Sequence, residues 1–476
     1  MEILKKDPNQ AINAYHTALC GEDGTTGYCG LMNLFRILGA LEESNRQRAN
    51  PMLTRQLSSS SVQSEVVEET QTDLNEKHDR DLNKINILSN KKYPFYQRSI
   101  DIHITDAINW LYHINKLVHK KGFPSKFSFG ANYGLSGSYP EVTGYTLCTL
   151  LTIIRNKPLK DYNYSIVDEL IMNSYKYLLT TQLENGSFMA GNENTANYGE
   201  VSIFNTGQIL LGISDLYESV LKNNIEKYDF VNEKIIKNSI DQACKFLTTQ
   251  IEKDGSYNTK YTYTKKKKTY YSRATYGLLR GGIVLNNKFY IDSALRNFNW
   301  VSSQCLPNGQ IQHWGFQDNW AVLHTISYTL RGLIEAGIYY NNDIFITNTI
   351  NGIKFLTDNI SKGFKYNGLI PAYFDNKGNH NDELCITGLS QLAIVIKKIP
   401  KNKRPEDYNV LFNNIINDTK CFQLNGFNKN IYNGAIPASF PFYGEYQTNS
   451  LIEWGLKFFI DSLLLSDGVK ASEVKG

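Results

Sequence analysis

The chain has 476 residues, a length that fits two to four ordinary domains or one large repetitive domain with an extension. Hydrophobic residues make up 41% of it and charged residues 20%, so it can form a packed core, and wholesale disorder is excluded. The formal net charge of +4 is too small to indicate a nucleic-acid-binding protein. Tyrosine is abundant, with 31 residues, which indicates a structure or site that uses aromatic side chains heavily.

The sequence carries no pattern of membrane insertion or secretion. It has no run of about 18 apolar residues that would form a transmembrane helix, and no apolar segment follows its first lysines as in a secretory signal. Its seven cysteines are odd in number and scattered, which is typical of free thiols in a reducing compartment. We therefore expect a cytoplasmic protein, with peripheral contact to the inner face of the membrane left open.

The chain divides by composition into four segments. Residues 1–40 form a short segment of unknown role, and residues 41–92 are polar and charged, which is typical of a disordered linker. Residues 93–468 are rich in Asn, Lys, Ile and Tyr and have regular helical periodicity. Residues 469–476 are predicted to be a tail.

A short pattern repeats through the body: the end of a helix, a glutamine, a turn with Asn-Gly or Asp-Gly, and then an aromatic or apolar residue. Its three clear copies contain Gln182, Gln250 and Gln304, and a degenerate fourth copy lies at 356–364. The spacing of the copies fits one helical hairpin plus a loop, which indicates a repeat architecture.

Apolar residues at i, i+3, i+4 and i+7 predict twelve helices in this body. Their approximate ranges are 102–118, 141–155, 165–182, 203–220, 233–251, 271–285, 288–304, 319–338, 344–359, 382–398, 406–418 and 448–465. Glycine-rich turns follow the odd-numbered helices, so the twelve helices form six hairpins. We predict an all-α fold, an (α/α)6 toroid in which the even-numbered helices line the inside. An open solenoid of the same hairpins is the alternative.

Each even-numbered helix follows a long loop rich in Gly, Tyr and Asn and carries polar residues on one face. On helix 319–338, for example, His324, Tyr328, Arg331 and Glu335 share a stripe. If these helices line a ring, their amino-terminal ends gather at one mouth, where free N–H groups and helix dipoles favour an anion. Arginines can hold a carboxylate or phosphate, and aromatic rings offer flat faces that suit sugar rings. The pattern predicts a cleft for an acidic carbohydrate or a phosphorylated ligand.

The candidate functional residues come from these stripes and from the loops beside them. The predicted general acid–base groups are His324, Tyr328, Tyr145, Glu141 and Glu383. The predicted substrate-binding residues are Arg273, Arg331, Asn205, Gln208, Tyr276, Trp314, Trp320 and Tyr446. A tyrosine acts as a base only if its pKa is lowered from about 10, and each tyrosine is equally explained as part of a packed wall.

Several metal and cofactor motifs are absent from the sequence. The Asp-x-Asp-Asp motif of class II terpene cyclases is missing, and so are His-Glu-x-x-His and phosphate-binding glycine loops. A prenyltransferase zinc site needs Asp, Cys and a later His, but no histidine follows Cys385. We therefore predict no metal and no cofactor. The run Lys265–Lys268 is either a solvated loop or a contact for a polyanion.

Six strings in the body carry a resemblance to known proteins: Gly137–Tyr145, Phe204–Gln208, His324–Glu335, Leu384–Gln391, Gly434–Tyr446 and Trp454–Asp461. They are similar to a group of bacterial and archaeal proteins found with surface-polysaccharide biosynthesis genes. Members of that group are described as terpene-cyclase-like or prenyltransferase-like repeat proteins. The resemblance covers about residues 95–465 and implies the toroid fold and a role in polysaccharide biosynthesis.

A weaker resemblance is to the helical domain of glucuronyl C5-epimerases and to (α/α)-toroid polysaccharide lyases. It implies chemistry at C5 of a uronate, where a base removes the proton next to the carboxylate and positive charge stabilises the intermediate. Two positions depart from the expected patterns: Asn205 replaces an acidic residue, and Trp454 follows Glu453 where Asn-Trp is expected. No catalytic residue is therefore carried over from either group.

We predict a carbohydrate-active enzyme that modifies an acidic or lipid-linked saccharide in polysaccharide biosynthesis, by epimerisation or elimination at a uronate. The saccharide is its expected partner, with no nucleic acid and no transmembrane segment, and the oligomeric state is left open. Glycoside hydrolysis is a competing hypothesis and would pair Glu141 with Glu383 or Asp382. A terpenoid cyclase-like enzyme and a non-catalytic saccharide-binding or scaffold protein also fit the pattern.

Overall fold

The computed structural model describes residues 98–129, 134–223, 228–366, 368–425, 431–442 and 444–476, apart from the side chains of 221–223. The predicted segment 1–40 and linker 41–92 lie outside the described residues. The described residues form twelve α-helices: α1 (Ile100–Leu117), α2 (Pro140–Asn156), α3 (Ser165–Leu179), α4 (Ile203–Asn223), α5 (Glu233–Thr249), α6 (Ser272–Val284), α7 (Lys288–Ser303), α8 (Leu323–Tyr339), α9 (Asp343–Asp358), α10 (Ile386–Lys398), α11 (Asp407–Cys421) and α12 (Glu453–Ser466). They also form seven short strands: β1 (Lys126–Ser128), β2 (Gly134–Leu135), β3 (Trp320–Val322), β4 (Tyr373–Asp375), β5 (Leu384–Cys385), β6 (Ser439–Phe440) and β7 (Ser450–Ile452).

The even-numbered helices are buried on almost every side, whereas the odd-numbered helices keep one exposed face. In α8, 15 of 17 residues are buried, and the same holds for α2. A helix that is apolar nearly all round lies inside a protein, and a helix with one apolar stripe covers it from outside. Each even-numbered helix packs against the next, from α2 through α4, α6, α8 and α10 to α12, and α12 packs back against α2. The ring is therefore closed, which confirms the (α/α)6 toroid over the open solenoid.

The repeated glycine turns are the contacts between one hairpin and the next. Gly255 and Gly309 both have a φ of +91°, a conformation that favours glycine. A Cβ at Gly309 would lie 2.2 Å from the carbonyl oxygen of Asn351 in the next outer helix, α9. In the same way, a Cβ at Gly434 would lie 2.1 Å from the carbonyl oxygen of Asp106 in α1. The last turn thus packs on the first outer helix, so the outer layer closes as the inner ring does.

Nine of the twelve predicted helices match the structure to within three residues at each end. The other three, α8, α10 and α12, begin later than predicted because β3, β5 and β7 occupy the residues before them. β3 pairs with β4 and β5 with β6, whereas β7 pairs with β1, which also pairs with β2. Strands of two or three residues are too short to show an alternating pattern, so the helical periodicity extended through them.

The inner helices run in the same direction, so the ring has an amino-terminal and a carboxyl-terminal mouth. At the first, Gly388 near the start of α10 lies against His324 near the start of α8. At the second, Glu335 near the end of α8 forms an ion pair with Lys398, the last residue of α10. The segment predicted as a tail, 469–476, enters the carboxyl-terminal mouth and is partly buried there.

Candidate functional site

Polar and aromatic side chains gather at the amino-terminal mouth, where loops meet the first turns of the inner helices. Glu141 is the second residue of α2, His324 is the second residue of α8, and Glu453 is the first residue of α12. Pro140 at the first position of α2 has the backbone angle that a helix start requires, and it lacks an N–H that would go unpaired there. Since the inner helices are parallel, their first turns bring these side chains to one end of the ring.

Glu141 is held by two tyrosine hydroxyl groups. Its Oε2 accepts hydrogen bonds from Tyr139 at 2.7 Å and from Tyr263 at 2.6 Å, and the Tyr263 hydroxyl also lies against Oδ1 of Asn205. Burial raises the pKa of Glu141, while the hydrogen bonds from Tyr263 and Tyr139 oppose that rise because they stabilise the carboxylate. Glu141 is therefore suited to accept a proton. Sequence reasoning did not select Tyr263, which lies in the loop between α5 and α6, outside every motif.

Glu453 lies in the same region as Glu141 but is more deeply buried. It is fully buried, its Oε1 accepts a hydrogen bond from Thr146 at 2.6 Å, and its Oε2 has no partner among the described residues. Burial raises the pKa of Glu453 to about 8, and the nearby charge of Glu141 acts in the same direction. The group is thus a neutral carboxylic acid at pH 7 and can donate a proton. The sequence analysis named Glu453 only as the residue before Trp454.

His324 and the aromatic rings beside it form one wall of the mouth. The His324 Nδ1 lies 2.8 Å from Oε1 of Gln391, and its ring centroid lies 4.5 Å from that of Tyr328 and 5.4 Å from that of Tyr446. Burial lowers the pKa of His324 to about 4, so the ring is neutral. A neutral ring that donates from Nδ1 to the amide oxygen leaves Nε2 as an acceptor. His324 can therefore accept a proton or a hydrogen bond at Nε2, although its lowered pKa makes it a weaker base than a free imidazole.

Tyr145 and Tyr328 lie deeper in the ring than Glu141. Burial raises the pKa of both hydroxyl groups well above the usual range, and the charges of Glu141 and Glu453 raise both further. A tyrosine with a raised pKa stays protonated at neutral pH. The two residues, which the sequence analysis proposed as acid–base groups, therefore suit the role of hydrogen-bond donors rather than that of bases.

Two buried polar side chains below the tyrosines lack partners. All three guanidinium nitrogens of Arg273 and both amide atoms of Gln208 are buried without a hydrogen bond among the described residues. The two residues lie on neighbouring helices, because Gly207 of α4 packs directly against Ala274 of α6. Burial lowers the pKa of Arg273 to about 10, and the charge of Arg331 contributes, so Arg273 remains a cation at pH 7. Buried polar groups are nearly always paired, so this pair indicates a place for an anionic group.

A continuous series of aromatic rings leads from solvent to this interior. Phe316 and Tyr263, which are 40% and 42% exposed, lie at its outer end. The ring centroid of Phe316 is 5.3 Å from that of Tyr270, which is 5.9 Å from that of Phe204. Phe204 in turn lies 5.2 Å from Tyr328. Such faces suit the apolar side of a sugar ring.

Two of the predicted binding residues are engaged elsewhere. The Arg331 Nε lies 2.8 Å from Oε1 of Glu335, and its Nη2 donates a hydrogen bond to the carbonyl oxygen of Val474 at 2.8 Å. Those contacts lie toward the carboxyl-terminal mouth and provide hydrogen-bond acceptors for the Arg331 guanidinium. Trp314 is buried with its ring 5.7 Å from that of Phe355 in the outer helix α9, so it packs in the wall between layers.

The remaining predicted residues lie around the mouth. Glu383 is half-buried beside β5, and its Oε2 accepts a hydrogen bond from the backbone of Glu445 at 2.9 Å. Asp382 is exposed to solvent, and Trp320 is 38% exposed at the start of β3. The last two predicted residues, Tyr446 and Tyr276, are buried. Tyr446 accepts a hydrogen bond from Trp454 at 2.8 Å, and Tyr276 has its ring centroid 5.1 Å from the Arg273 guanidinium carbon.

The lysine run of the sequence lies in the loop that carries Tyr263 and forms ion pairs within the chain. Lys266 and Lys268 both pair with Asp318, the latter at 3.0 Å, and Lys267 pairs with Asp254 at 2.8 Å. These contacts fasten the loop to its neighbours. None of the described helices is long and apolar enough to cross a membrane, and the described His, Cys, Asp and Glu residues form no group of three that could hold a metal ion.

Comparison with known proteins shows the fold. No family model and no curated protein matches the chain. Among solved structures, unsaturated glucuronyl hydrolase from Bacillus sp. GL1 is 12% identical with a TM-score of 0.58, covering 77% of this chain and 96% of its own. A sugar epimerase from a ruminal bacterium is 9% identical with a TM-score of 0.58, covering 78% and 98%. A D-mannose isomerase is 10% identical with a TM-score of 0.55, covering 74% and 97%.

Proposed function

We propose that the chain is a carbohydrate-active enzyme that hydrolyses a glycosidic bond in an acidic saccharide by general acid–base chemistry. The observation that carries the proposal is the pair of carboxyl groups at the amino-terminal mouth. Glu453 has a pKa of about 8 and holds a proton at pH 7, whereas Glu141 accepts two tyrosine hydrogen bonds. Glycoside hydrolysis requires one protonated and one ionised carboxyl group. Burial raises the pKa of both, and only Glu141 has two tyrosine hydrogen bonds that stabilise its carboxylate, so we assign Glu453 as the acid and Glu141 as the base.

Each carboxyl group has a distinct part in the proposed reaction. Glu453 donates its proton to the glycosidic oxygen as the C–O bond breaks. Ionised Glu141 accepts a proton from the water molecule that attacks the anomeric carbon, and the Tyr139 and Tyr263 hydroxyl groups hold it in place. One water molecule is consumed, and proton exchange with solvent restores both groups. General acid–base catalysis of this kind contributes about 10²–10⁴-fold to the rate.

The acidic nature of the substrate follows from Arg273 and Gln208. Their buried donors have no partner among the described residues, and a carboxylate on the sugar would supply acceptors and balance the charge of Arg273. The aromatic series from Phe316 to Tyr328 would face the sugar rings. The names of the similar structures, which include unsaturated glucuronyl hydrolase, sugar epimerase and mannose isomerase, support carbohydrate chemistry in general.

Epimerisation or elimination at a uronate is the second candidate, and His324 favours it. The neutral ring leaves Nε2 free to remove the proton at C5, and Arg273 would stabilise the charge that develops on the carboxylate. A place in polysaccharide biosynthesis, a lipid-linked form of the substrate and a cytoplasmic location are parts of the proposal that rest on the sequence alone.

The test is incubation of the purified protein with uronate-containing oligosaccharides in deuterated water. Hydrolysis releases new reducing ends without deuterium at C5, epimerisation introduces deuterium at C5 without cleavage, and elimination produces an ultraviolet-absorbing double bond. We expect new reducing ends, with the rate reduced about 10²–10⁴-fold in Glu453→Gln and in Glu141→Gln. Asp229→Asn, at an exposed carboxylate in the loop between α4 and α5, is the matched control and should keep full activity.

Two outcomes would overturn this assignment. Deuterium at C5 without cleavage, abolished by His324→Ala and retained in Glu453→Gln, would favour the epimerase. Binding of saccharide without turnover by the wild-type protein would favour the non-catalytic binding or scaffold protein.

A further inference from the structure

Residues 471–476, which we call the tail plug, fill the carboxyl-terminal mouth of the ring. Three of the backbone carbonyls accept hydrogen bonds from side chains of three inner helices. The carbonyl of Ala471 accepts from Lys398 of α10, that of Glu473 from Thr152 and Arg155 of α2, and that of Val474 from Arg331 of α8, at distances of 2.6–3.1 Å. The Val474 side chain is fully buried.

The side chain of Lys475 joins the plug to α4. Its Nζ lies 2.7 Å from Oδ1 of Asp215 and 2.9 Å from Oε2 of Glu218, both on α4. Glu218 in turn pairs with Arg280 of α6, and Asp215 with Arg155 of α2. The last residue of the plug, Gly476, packs against Cys148 of α2 and Lys457 of α12. The plug therefore contacts all six inner helices, directly or through one ion pair.

The reacting groups of the proposed site lie inside the ring rather than on its rim. Glu453 and Gln208 are 0% exposed, and Arg273 is 1% exposed. A polysaccharide lying across the mouth would not reach such groups with an internal bond, so the saccharide has to enter the ring. Since the tail plug fills the carboxyl-terminal mouth beyond these groups, a chain that has entered cannot leave through the opposite end.

We infer that the tail plug makes the ring a blind pocket that admits the terminus of a saccharide chain, or a short saccharide, and excludes internal segments of a polymer. The chemical identity of that chain rests on the proposed function. The closure of the ring does not, because it depends only on the contacts of residues 471–476 with the inner helices.

Closure is tested through Cys148, which is fully buried beneath Gly476. The folded protein is treated with iodoacetamide at alkaline pH, and alkylation is mapped by mass spectrometry, with the partly exposed Cys421 as internal reference. Cys148 should stay unlabelled while Cys421 reacts. In Lys475→Glu, where a carboxylate would face Asp215 and Glu218, labelling of Cys148 should rise at least tenfold relative to Cys421. Ser472→Ala, an exposed position of the plug, is the matched control and should resemble wild type.

Two results would overturn the closure. One is rapid alkylation of Cys148 in the folded wild-type protein. The other is unchanged protection in Lys475→Glu together with unchanged protection in a variant lacking residues 471–476. If Lys475→Glu does not fold, as judged by circular dichroism, Lys475→Ala replaces it, because it removes the ion pairs without adding a charge.

Selection for chain ends is tested with a short oligoglucuronate, either free or blocked at both termini. Titration calorimetry uses Glu453→Gln, so that binding is measured without turnover. We expect the blocked chain to bind at least tenfold more weakly, and wild type to release only terminal units from the free chain. Equal binding of both chains, or internal cleavage, would overturn the blind pocket. Failure to bind either chain would contradict the proposed substrate, and the Cys148 labelling would still decide the closure.

Discussion

The two ends of the ring are built from the same six helices but use polar residues in opposite ways. At the amino-terminal mouth, Glu453 has one carboxyl oxygen without a partner, and deeper on the same side Arg273 and Gln208 have no hydrogen-bond partner for their buried polar atoms among the described residues. At the carboxyl-terminal mouth, buried charges are paired: Asp215 with Arg155 and Lys475, and Glu335 with Arg331 and Lys398.

The pKa values of buried carboxyl groups also differ between the two ends of the ring. Burial raises the pKa of Glu453 to about 8, whereas Glu335, although also buried, has its pKa lowered to about 2 by the charges of Lys398 and Arg331. Burial of a carboxyl group does not by itself fix its charge; the partners that the fold supplies do. Buried polar groups without a hydrogen-bond partner thus indicate the end where a ligand is expected. Fully paired groups indicate the end that stabilises the ring.

The largest expected effect is on stability and lies at the carboxyl-terminal mouth. Replacing Asp215 by Ala removes a fully buried carboxylate and leaves Arg155 and Lys475 without a shared partner. Because Arg155 keeps Glu473 and Lys475 keeps Glu218 as partners, the expected cost is that of the lost charge-assisted hydrogen bonds, about 1.5–3 kcal/mol. We expect that loss in the free energy of unfolding, measured by urea denaturation. The control Asp382→Ala, at an exposed position, should change it by less than about 0.5 kcal/mol, and equal effects of the two variants would contradict the division.

The second expected effect is on the free energy of unfolding, whose dependence on pH has opposite signs for the carboxyl groups at the two ends. Glu453 has a folded pKa of about 8 and an unfolded pKa of about 4.3, so between these values the folded state binds a proton that the unfolded state lacks. Its contribution therefore lowers the free energy of unfolding as pH rises through this window, by up to about 1.4 kcal/mol per pH unit. Glu453→Gln should remove that decline.

Glu335 behaves the other way. Its folded pKa of about 2 lies below the unfolded value of about 4.3, so its stabilisation is present above pH 4.3 and is lost as pH falls toward 2. Glu335→Gln should abolish this acid-side loss and leave the slope between pH 4.3 and 8 unchanged. The measurement is the difference in unfolding free energy between wild type and each variant across pH. The same slope in both variants would show that the two carboxyl groups do not differ as described.

The sequence predicts the ring of helices better than it predicts the contacts of the side chains inside the ring. The toroid was predictable because helical periodicity and the repeated turn around Gln182, Gln250 and Gln304 are local patterns, and each turn packs on the next outer helix. The amino-terminal location of the polar residues followed from that ring. Glu141 and His324 could be selected because their chemistry is visible in the residue type.

The roles of Glu453 and of the tail plug could not be predicted in that way. The protonation of Glu453 depends on burial and on Thr146, which is 307 residues away in the chain and becomes its neighbour only when α12 packs on α2. Residues 471–476 have no apolar pattern, and their burial depends on side chains from several helices. Tyr263 reaches Glu141 only because its loop folds over the mouth. Such contacts join distant segments, and a single sequence does not record them.

A smaller effect is expected from Tyr263→Phe at the amino-terminal mouth. The substitution removes one hydrogen bond to Glu141, which is worth about 1 kcal/mol of stability. Because that bond opposes the rise of the Glu141 pKa, its loss should raise the pKa further. If ionised Glu141 is the base, the acidic limb of the kcat/KM profile should move to higher pH. Tyr261→Phe, in the same loop and without a hydroxyl hydrogen bond to Glu141, should leave the limb where it is.

The smallest effect is expected at the surface beside that loop. Asp318 pairs with Lys266 and Lys268, and these two pairs hold the pKa of Asp318 at about 2. Exposed ion pairs contribute little to stability because solvent and salt screen them, so Asp318→Asn should leave the urea midpoint unchanged within error. If the pairs hold the Tyr263 loop over Glu141, the variant should instead move the acidic limb of kcat/KM toward that of Tyr263→Phe, as addition of salt to wild type should. A large loss of stability in Asp318→Asn would mean that polar groups at the amino-terminal mouth also stabilise the ring.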